Sequence, residues 1–254
     1  MAAEEMSFWD HLDELRGTIF KALVAVVLGA ILVFCFKSFV FDTLLLAPTR
    51  GDFFVYRLMH ADDFAMDLVN FDISAQFFIH LRVSFILGFV LAFPFVVWEI
   101  WKFIAPALYE REKLAVRKAF LFSGFLFYAG LAVGYILVLP IALNFFQNYE
   151  VSEMVVNTIS LKSYISMFMS LVLMFGVVFE FPAVIAALSQ MGIVDRNDLR
   201  KGRKYAFVAV LILAAIITPA DPLSMAIAAA PLYILYEASI IVCSKETVKD
   251  DIDQ

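Results

Sequence analysis

Charge is scarce in this sequence: only 17% of its 254 residues are charged, whereas 63% are hydrophobic. A soluble domain typically carries about 25% charged residues and has shorter apolar runs. The scarcity therefore excludes an ordinary soluble domain and indicates an integral membrane protein. The net charge of −6 also argues against a nucleic-acid partner, because phosphate binding needs a basic patch.

Signatures of catalysis and metal binding are also absent from the sequence. It contains no HExxH pair among its three histidines, no GxSxG stretch and no Walker A motif. Zinc hydrolases, serine hydrolases and P-loop ATPases depend on those spacings. We therefore expect no zinc site, no serine-hydrolase chemistry, no ATP hydrolysis by the chain itself and no cofactor. The only cysteines are Cys35 and Cys243, and the topology predicted below places them on opposite sides of the membrane, which excludes a disulfide between them.

Long apolar runs predict the fold. A bilayer core is about 30 Å thick and needs about 20 apolar residues per spanning helix. Six segments predict an all-α polytopic membrane protein with one transmembrane domain, 1–254. The predicted spans are about 18–36, 77–103, 119–146, 163–191, 205–217 and 223–240.

The last two predicted spans are short, and a TPADP turn separates them. A single re-entrant hairpin that never crosses is one interpretation of this pair. We favour two short crossings, because a total of six keeps the basic loops on one side. Short crossings imply thinner lipid around them.

The distribution of Lys and Arg predicts the orientation. Four of these 19 residues lie in the two long outer loops, 37–76 and 147–162, and fourteen lie in the segments 1–21, 102–118, 189–204 and 243–254. Cytoplasmic loops carry such an excess, so both termini are predicted to be cytoplasmic. The acidic start and the missing cleavage site predict that the first span stays as an anchor. The outer loop 37–76 is predicted to be a partly helical cap.

The segment before the first span, SFWDHLDELRG at 7–17, is unusually rich in carboxylates. Apolar residues recur at helical spacing from Phe8 to Ile19, which predicts an amphipathic helix. An acidic first turn could serve the helix dipole alone. Carboxylates in the loop 101–118 could instead form an acidic surface together with Glu14.

Glu180, in FGVVFEFP, lies inside an apolar run, 18 residues after Lys162 and 15 before Asp195. A charged group at such depth costs about 3 kcal/mol, and such residues usually face a protein interior or a cavity. Glu180 is too far from either end to snorkel, so we expect it to be functional. Arg82 and Glu99, near the ends of the second span, are expected to face the membrane interface.

Five motifs in order resemble the TatC family, the multispanning receptor subunit of the twin-arginine protein translocase. The resemblance covers about 8–244. The motifs are HLDELR at 11–16, FPFVVWEIWKFIAPALYEREK at 93–113, FGVVFEFP at 175–182, GIVDRNDLRKGRKY at 192–205 and ITPADPLS at 217–224.

The resemblance implies a non-enzymatic role in the bacterial cytoplasmic (inner) membrane. Proteins of this kind bind twin-arginine signal peptides and, with small single-span subunits of the TatA and TatB type, export folded proteins using the proton gradient. Self-association in the receptor complex and contact with lipids are also implied. The site residues implied are Glu14, Glu112, Arg16, Leu108 and Tyr109 for the arginine pair, Glu180 inside the membrane, Asp221 in the outer turn and Pro48 in the first outer loop.

These assignments yield a hypothesis for the chemistry. Glu14 and Glu112 would form one acidic patch at the membrane edge, where guanidinium groups bind carboxylates bidentately. Glu180 would hydrogen-bond a polar residue of a partner helix. The alternative is a proton-coupled secondary transporter that uses Glu180. The missing inverted repeat disfavours that alternative, and an intramembrane protease lacks its nucleophile–base motif.

Overall fold

Helices make up nearly all of the fold. The computed structural model describes residues 8–58, 64–107, 110–150, 152, 154, 158–218 and 222–243. Its α-helices are α1 Phe8–Cys35, α2 Phe54–Leu58, α3 Ala75–Ile104, α4 Glu110–Val133, α5 Leu139–Asn148, α6 Leu161–Val178, α7 Phe181–Gln190, α8 Arg196–Lys201, α9 Arg203–Ile217 and α10 Pro222–Val242. The predicted all-α class is confirmed.

Six helical runs match the six predicted spans. They are α1, α3, α4 joined to α5 through a π-helical turn at Gly134–Val138, α6 with α7, α9 and α10. Five of these runs are long and apolar enough to cross a membrane. The last two are the shortest, as predicted, with 15 residues in α9 and 21 in α10. At 1.5 Å per residue α10 spans about 31 Å, so only α9 is shorter than a bilayer core.

Both described chain ends lie at the same end of the bundle. The His11 ring of α1 stacks on the Phe103 ring of α3 with centroids 4.4 Å apart. The Cys243 thiol lies 3.1 Å from the Ser189 hydroxyl at the end of α7. We call this end of the bundle the basic end. It comprises the starts of α1, α4 and α9 and the ends of α3, α7 and α10. Cys35 lies at the opposite end of α1, and both cysteines are free.

The helix α10 extends through the bundle. It starts beside α5, at the end opposite the basic end, and Ala228 and Leu232 share the main core with Leu139 and Ala142. Near the basic end, Arg203 of α9 pairs with Glu237 of α10 at 2.7 Å. The pair α9–α10 is therefore antiparallel and extends to the far end, as two crossings require and a re-entrant hairpin would not.

The loop between α1 and α3 has the predicted partly helical character. It contains a π-helical segment at Phe39–Leu45, a 3₁₀ turn at Ala47–Thr49 and the short helix α2. Strand β1 at Leu68–Val69 pairs in parallel with strand β2 at Ile159–Ser160. The two loops at this end are thereby joined, and we call the first of them the cap.

Tyrosine hydroxyls hold the cap onto the bundle. From the bundle, Tyr135 donates to the Leu44 carbonyl at 2.9 Å and Tyr164 donates to the Leu45 carbonyl at 2.5 Å. Within the cap, Tyr56 donates to the Pro48 carbonyl at 2.7 Å. Burial raises the pKa of the Tyr56 phenol, which keeps that group protonated and able to donate. Pro48 is itself buried, and its carbonyl accepts the bond from Tyr56.

Replacing Tyr164 with phenylalanine is expected to lower the free energy of unfolding by about 1–3 kcal/mol. The reason is that the Leu45 carbonyl, in a fully buried residue, would lose its donor. Thermal unfolding in detergent and protease cleavage of the cap measure the effect. Tyr205→Phe is the matched control, because Tyr205 is 81% exposed. Equal unfolding of the two variants would contradict the prediction.

Candidate functional site

The last two turns of α3, Trp98–Phe103, form the centre of the basic end. On one side the Phe103 ring stacks on His11 of α1. On the other side the Trp101 ring packs against Phe120 of α4 with centroids 5.6 Å apart. Trp101 and Val116 are both buried there. The end of α3 therefore positions α1 and α4 together.

Glu99 of α3 is buried at this point rather than facing the interface. Its Oε1 atom lies 2.6 Å from Lys102 Nζ, and its Oε2 atom lies 3.7 Å from Lys21 Nζ of α1. The Glu99 side chain is 3% exposed, against 62% for Lys21 and 51% for Lys102. The predicted interfacial position of Glu99 is wrong because α1 covers it. A lysine inside the first span was the signal, since a charge in an apolar run needs a partner.

Cations also face the Trp98 ring between α3 and α4. The Arg117 guanidinium of α4 lies 5.6 Å from the ring centroid. The Lys102 ammonium lies 5.8 Å from it. Both distances are within the range of cation–π attraction. The start of α4 is thereby held to α3 by charge as well as by apolar packing.

The predicted acidic residues lie on the two helices that this centre positions. Glu14 is half-buried on α1, one turn after His11, and Arg16 is exposed two residues later. Glu112 lies in the first turn of α4. The structure brings the backbones of α1 and α4 to the same end of α3. Three other predicted site residues, Leu108, Tyr109 and Asp221, lie outside the described residues.

Glu180 lies at a break in the fourth helical run rather than inside a continuous helix. The helix α6 ends at Val178 and α7 begins at Phe181, with Glu180 at the N-terminal boundary. Pro182 explains the break, because its ring nitrogen has no hydrogen to continue the helical ladder. The prediction of one span over 163–191 is thus refined into two helices.

The Glu180 carboxyl group faces α4. Its neighbours are the Ser123 hydroxyl and the backbone of Phe127. Ser123 is 5% exposed. The Oε1 atom of Glu180 is buried and has no hydrogen-bond partner among the described residues. It can therefore accept a further hydrogen bond. Ser123 was missed by sequence reasoning, since a single serine in an apolar run gives no signal.

Close packing of α4 on α6 brings Glu180 to this position. A Cβ atom added at Gly130 would lie 2.5 Å from the Phe175 carbonyl oxygen and 2.7 Å from the Phe179 side chain. Only glycine allows this approach, since any other residue would push α6 away. The polar pair formed by Glu180 and Ser123 thus depends on apolar helix packing nearby.

A family model described as Sec-independent protein translocase protein (TatC) matches residues 10–231. The chain belongs to the TatC family. A TatC relative from Blattabacterium is 34% identical over 94% of this chain and 95% of its own length. The TatC protein of Escherichia coli K12 is 32% identical over 91% of this chain and 85% of its own length.

Solved structures agree with this assignment. A crystal structure of the twin-arginine translocase receptor TatC in DDM superposes with a TM-score of 0.76, at 32% identity, over 92% of this chain and 99% of that chain. A second crystal structure of that receptor superposes with a TM-score of 0.72, at 33% identity, over 91% of this chain and 97% of that chain. This TatC-family chain is therefore a multi-pass membrane component of a protein translocase and not an enzyme, which confirms the family predicted from its motifs.

Proposed function

We propose that this TatC-family chain is the receptor subunit that binds twin-arginine signal peptides at the basic end. The observation that carries the proposal is the packing of α1 and α4 on one end of α3, because these helices bear Glu14 and Glu112. The proposal places the basic end on the cytoplasmic side of the bacterial inner membrane, in accord with its excess of Lys and Arg.

The chemistry of recognition follows from the two carboxylates. An arginine guanidinium is planar and donates two parallel N–H bonds to a carboxylate, whereas a lysine ammonium acts as a point charge. Two carboxylates on separate helices can therefore each bind one arginine of a consecutive pair. Arg16 follows Glu14 by two residues in α1, and Leu108 and Tyr109 precede the start of α4 in the sequence, so we expect these residues to border the bound peptide.

The intramembrane site at Glu180 would bind the small single-span partner subunits. Glu180 would accept a hydrogen bond from a polar residue of a small single-span subunit of the TatA or TatB type. Export of folded proteins would then use the proton gradient, with copies of this chain associating in the receptor complex. Lipid contact is part of the proposal, since α9 is about 22 Å long and requires a thinner bilayer around it.

Photo-cross-linking of a labelled signal peptide to the protein in membranes tests the receptor function. A peptide with Arg-Arg is expected to label the wild type about tenfold more strongly than one with Lys-Lys, which loses bidentate bonds. Glu14→Gln and Glu112→Gln are each expected to reduce the Arg-Arg signal to the Lys-Lys level. Asp13→Asn is the matched control, because Asp13 is an exposed acid on the same helix.

If both peptides label the protein equally, and if the two glutamine variants leave this labelling unchanged, then the acidic patch is not the recognition site. A loss of labelling in Asp13→Asn as large as in Glu14→Gln would show an unspecific charge effect and would also overturn it. The second candidate function is a proton-coupled transporter, favoured by the unpartnered oxygen of Glu180. Proton-coupled solute uptake in proteoliposomes holding this chain alone would support that candidate.

A further inference from the structure

Glu99 is an acidic residue whose side chain is only 3% exposed. A carboxylate so buried is stable only when charged partners and hydrogen bonds compensate its lost hydration. Glu99 has two such partners on two helices, Lys21 of α1 and Lys102 of α3. Its burial therefore depends on α1 lying where it does.

The helix α1 is held by α3 along its length, including the close approach of Ala30 to Gly88, and the contact from Lys21 to Glu99 is a charged contact within that interface. The other faces of α1 are largely uncovered, and most of its large apolar side chains are exposed. It packs chiefly on α3. Apolar packing between helices gives no hydrophobic driving force in lipid. Directional contacts such as the one from Lys21 to Glu99 therefore contribute more to the position of α1 than they would in water.

A series of contacts continues from Glu99 to α4. Lys102 contacts the Glu99 carboxylate and also faces the Trp98 ring, on which Arg117 of α4 lies. We call this series the α1–α4 bridge: Lys21, Glu99, Lys102, Trp98 and Arg117. It joins the helix that carries Glu14 to the helix that carries Glu112.

We propose that Glu99 is a positioning residue that holds Glu14 of α1 in register with the start of α4 through the α1–α4 bridge. The inference rests on the proposed recognition of an arginine pair by Glu14 and Glu112. Two carboxylates can bind two consecutive guanidinium groups only when their separation matches the peptide. Glu99 acts on that separation without contacting the peptide itself.

The separation of α1 from α4 can be measured without any peptide. Spin labels at Asp13 and Lys118, both exposed, report it by pulsed electron paramagnetic resonance in protein whose native cysteines are replaced by alanine. The unaltered bridge is expected to give one narrow distance distribution. Glu99→Leu is expected to shift or broaden this distribution by several ångströms, since Lys21 would lose its carboxylate partner on α3.

Variants of Lys21 keep the test valid if Glu99→Leu fails to fold. Lys21→Met is expected to broaden the distribution in the same way, whereas the conservative Lys21→Arg keeps it narrow. Lys37→Met is the matched control, because Lys37 is an exposed lysine just beyond the other end of α1. Peptide cross-linking on the same variants is expected to fall several-fold in Lys21→Met and to be kept in Lys21→Arg, because a displaced Glu14 would no longer bind its arginine bidentately.

The outcomes separate this inference from the proposed function. Unchanged distances in Glu99→Leu and Lys21→Met would overturn the positioning role, whatever the peptide does. Altered distances with undiminished Arg-Arg labelling would overturn it as well. If the wild type shows no preference for Arg-Arg over Lys-Lys, the proposed function fails and the positioning role falls with it. The positioning role would be supported if Glu99→Leu and Lys21→Met alter the distances and lose labelling, while Lys21→Arg keeps the wild-type distances and labelling.

Discussion

Replacing Gly88 with leucine is expected to destabilise the protein by about 3 kcal/mol or more. A Cβ atom at Gly88 would lie 2.7 Å from the Ala30 Cα atom, which is backbone and cannot move aside. Overpacking of this kind typically costs about 1–3 kcal/mol, and a leucine adds three further carbon atoms. Thermal unfolding in detergent, followed by circular dichroism, measures the change.

Gly124→Leu is the matched control for that substitution. Gly124 is also a glycine in a spanning helix, but a Cβ atom there meets nothing within 4 Å. The control is expected to be neutral or to stabilise by up to about 1 kcal/mol, because leucine forms helices better than glycine. Similar unfolding temperatures for the two leucine variants would show that α1 and α3 do not pack through Gly88.

Replacing Glu180 with leucine is expected to reduce export about tenfold while the protein still folds. A hydrogen bond between membrane helices is worth about 1–2 kcal/mol, and leucine cannot accept one. Glu180→Gln is expected to keep most of the activity, since its amide oxygen can accept the same bond. Export of a folded reporter with a twin-arginine signal, in vesicles that contain the small subunits, measures the effect.

The glutamine variant discriminates between the two functions considered for Glu180. A partner site needs a hydrogen-bond acceptor, whereas proton coupling needs a group that titrates. Glu180→Gln as inactive as Glu180→Leu would therefore contradict the partner site and favour coupling. Ser170→Leu is the matched control, because Ser170 is exposed in the same helical run and its loss is expected to leave export unchanged.

The class and span order of this protein were predictable from the sequence. Each apolar run is long enough to bury its backbone groups as a helix in lipid, and this requirement is local. The positions of the predicted spans accordingly agree with the helical runs to within a few residues at most ends. The difference at Glu180 arises from Pro182, whose effect is also local but competes with a continuous apolar pattern.

Parts of the candidate site were predictable too. Glu14 and Glu180 stand out in the sequence because carboxylates are rare beside or within apolar runs. The recognised motifs supplied the remaining site residues. The packing of α1 and α4 on the two sides of the end of α3 was not predictable, since helix order along the chain does not specify which faces of these helices contact α3.

The sequence by itself determined that the chain is an all-α membrane protein, which predicted segments cross, and which family it belongs to. Only the tertiary structure decided that Glu99 is buried beneath Lys21, and that Glu180 faces Ser123. The physical reason is that the free energy of transferring a helix into lipid depends on the apolar residues of that segment alone. The pairing of charges and hydroxyls depends on the crossing of helices such as α1 on α3, which residues far apart in the chain determine together.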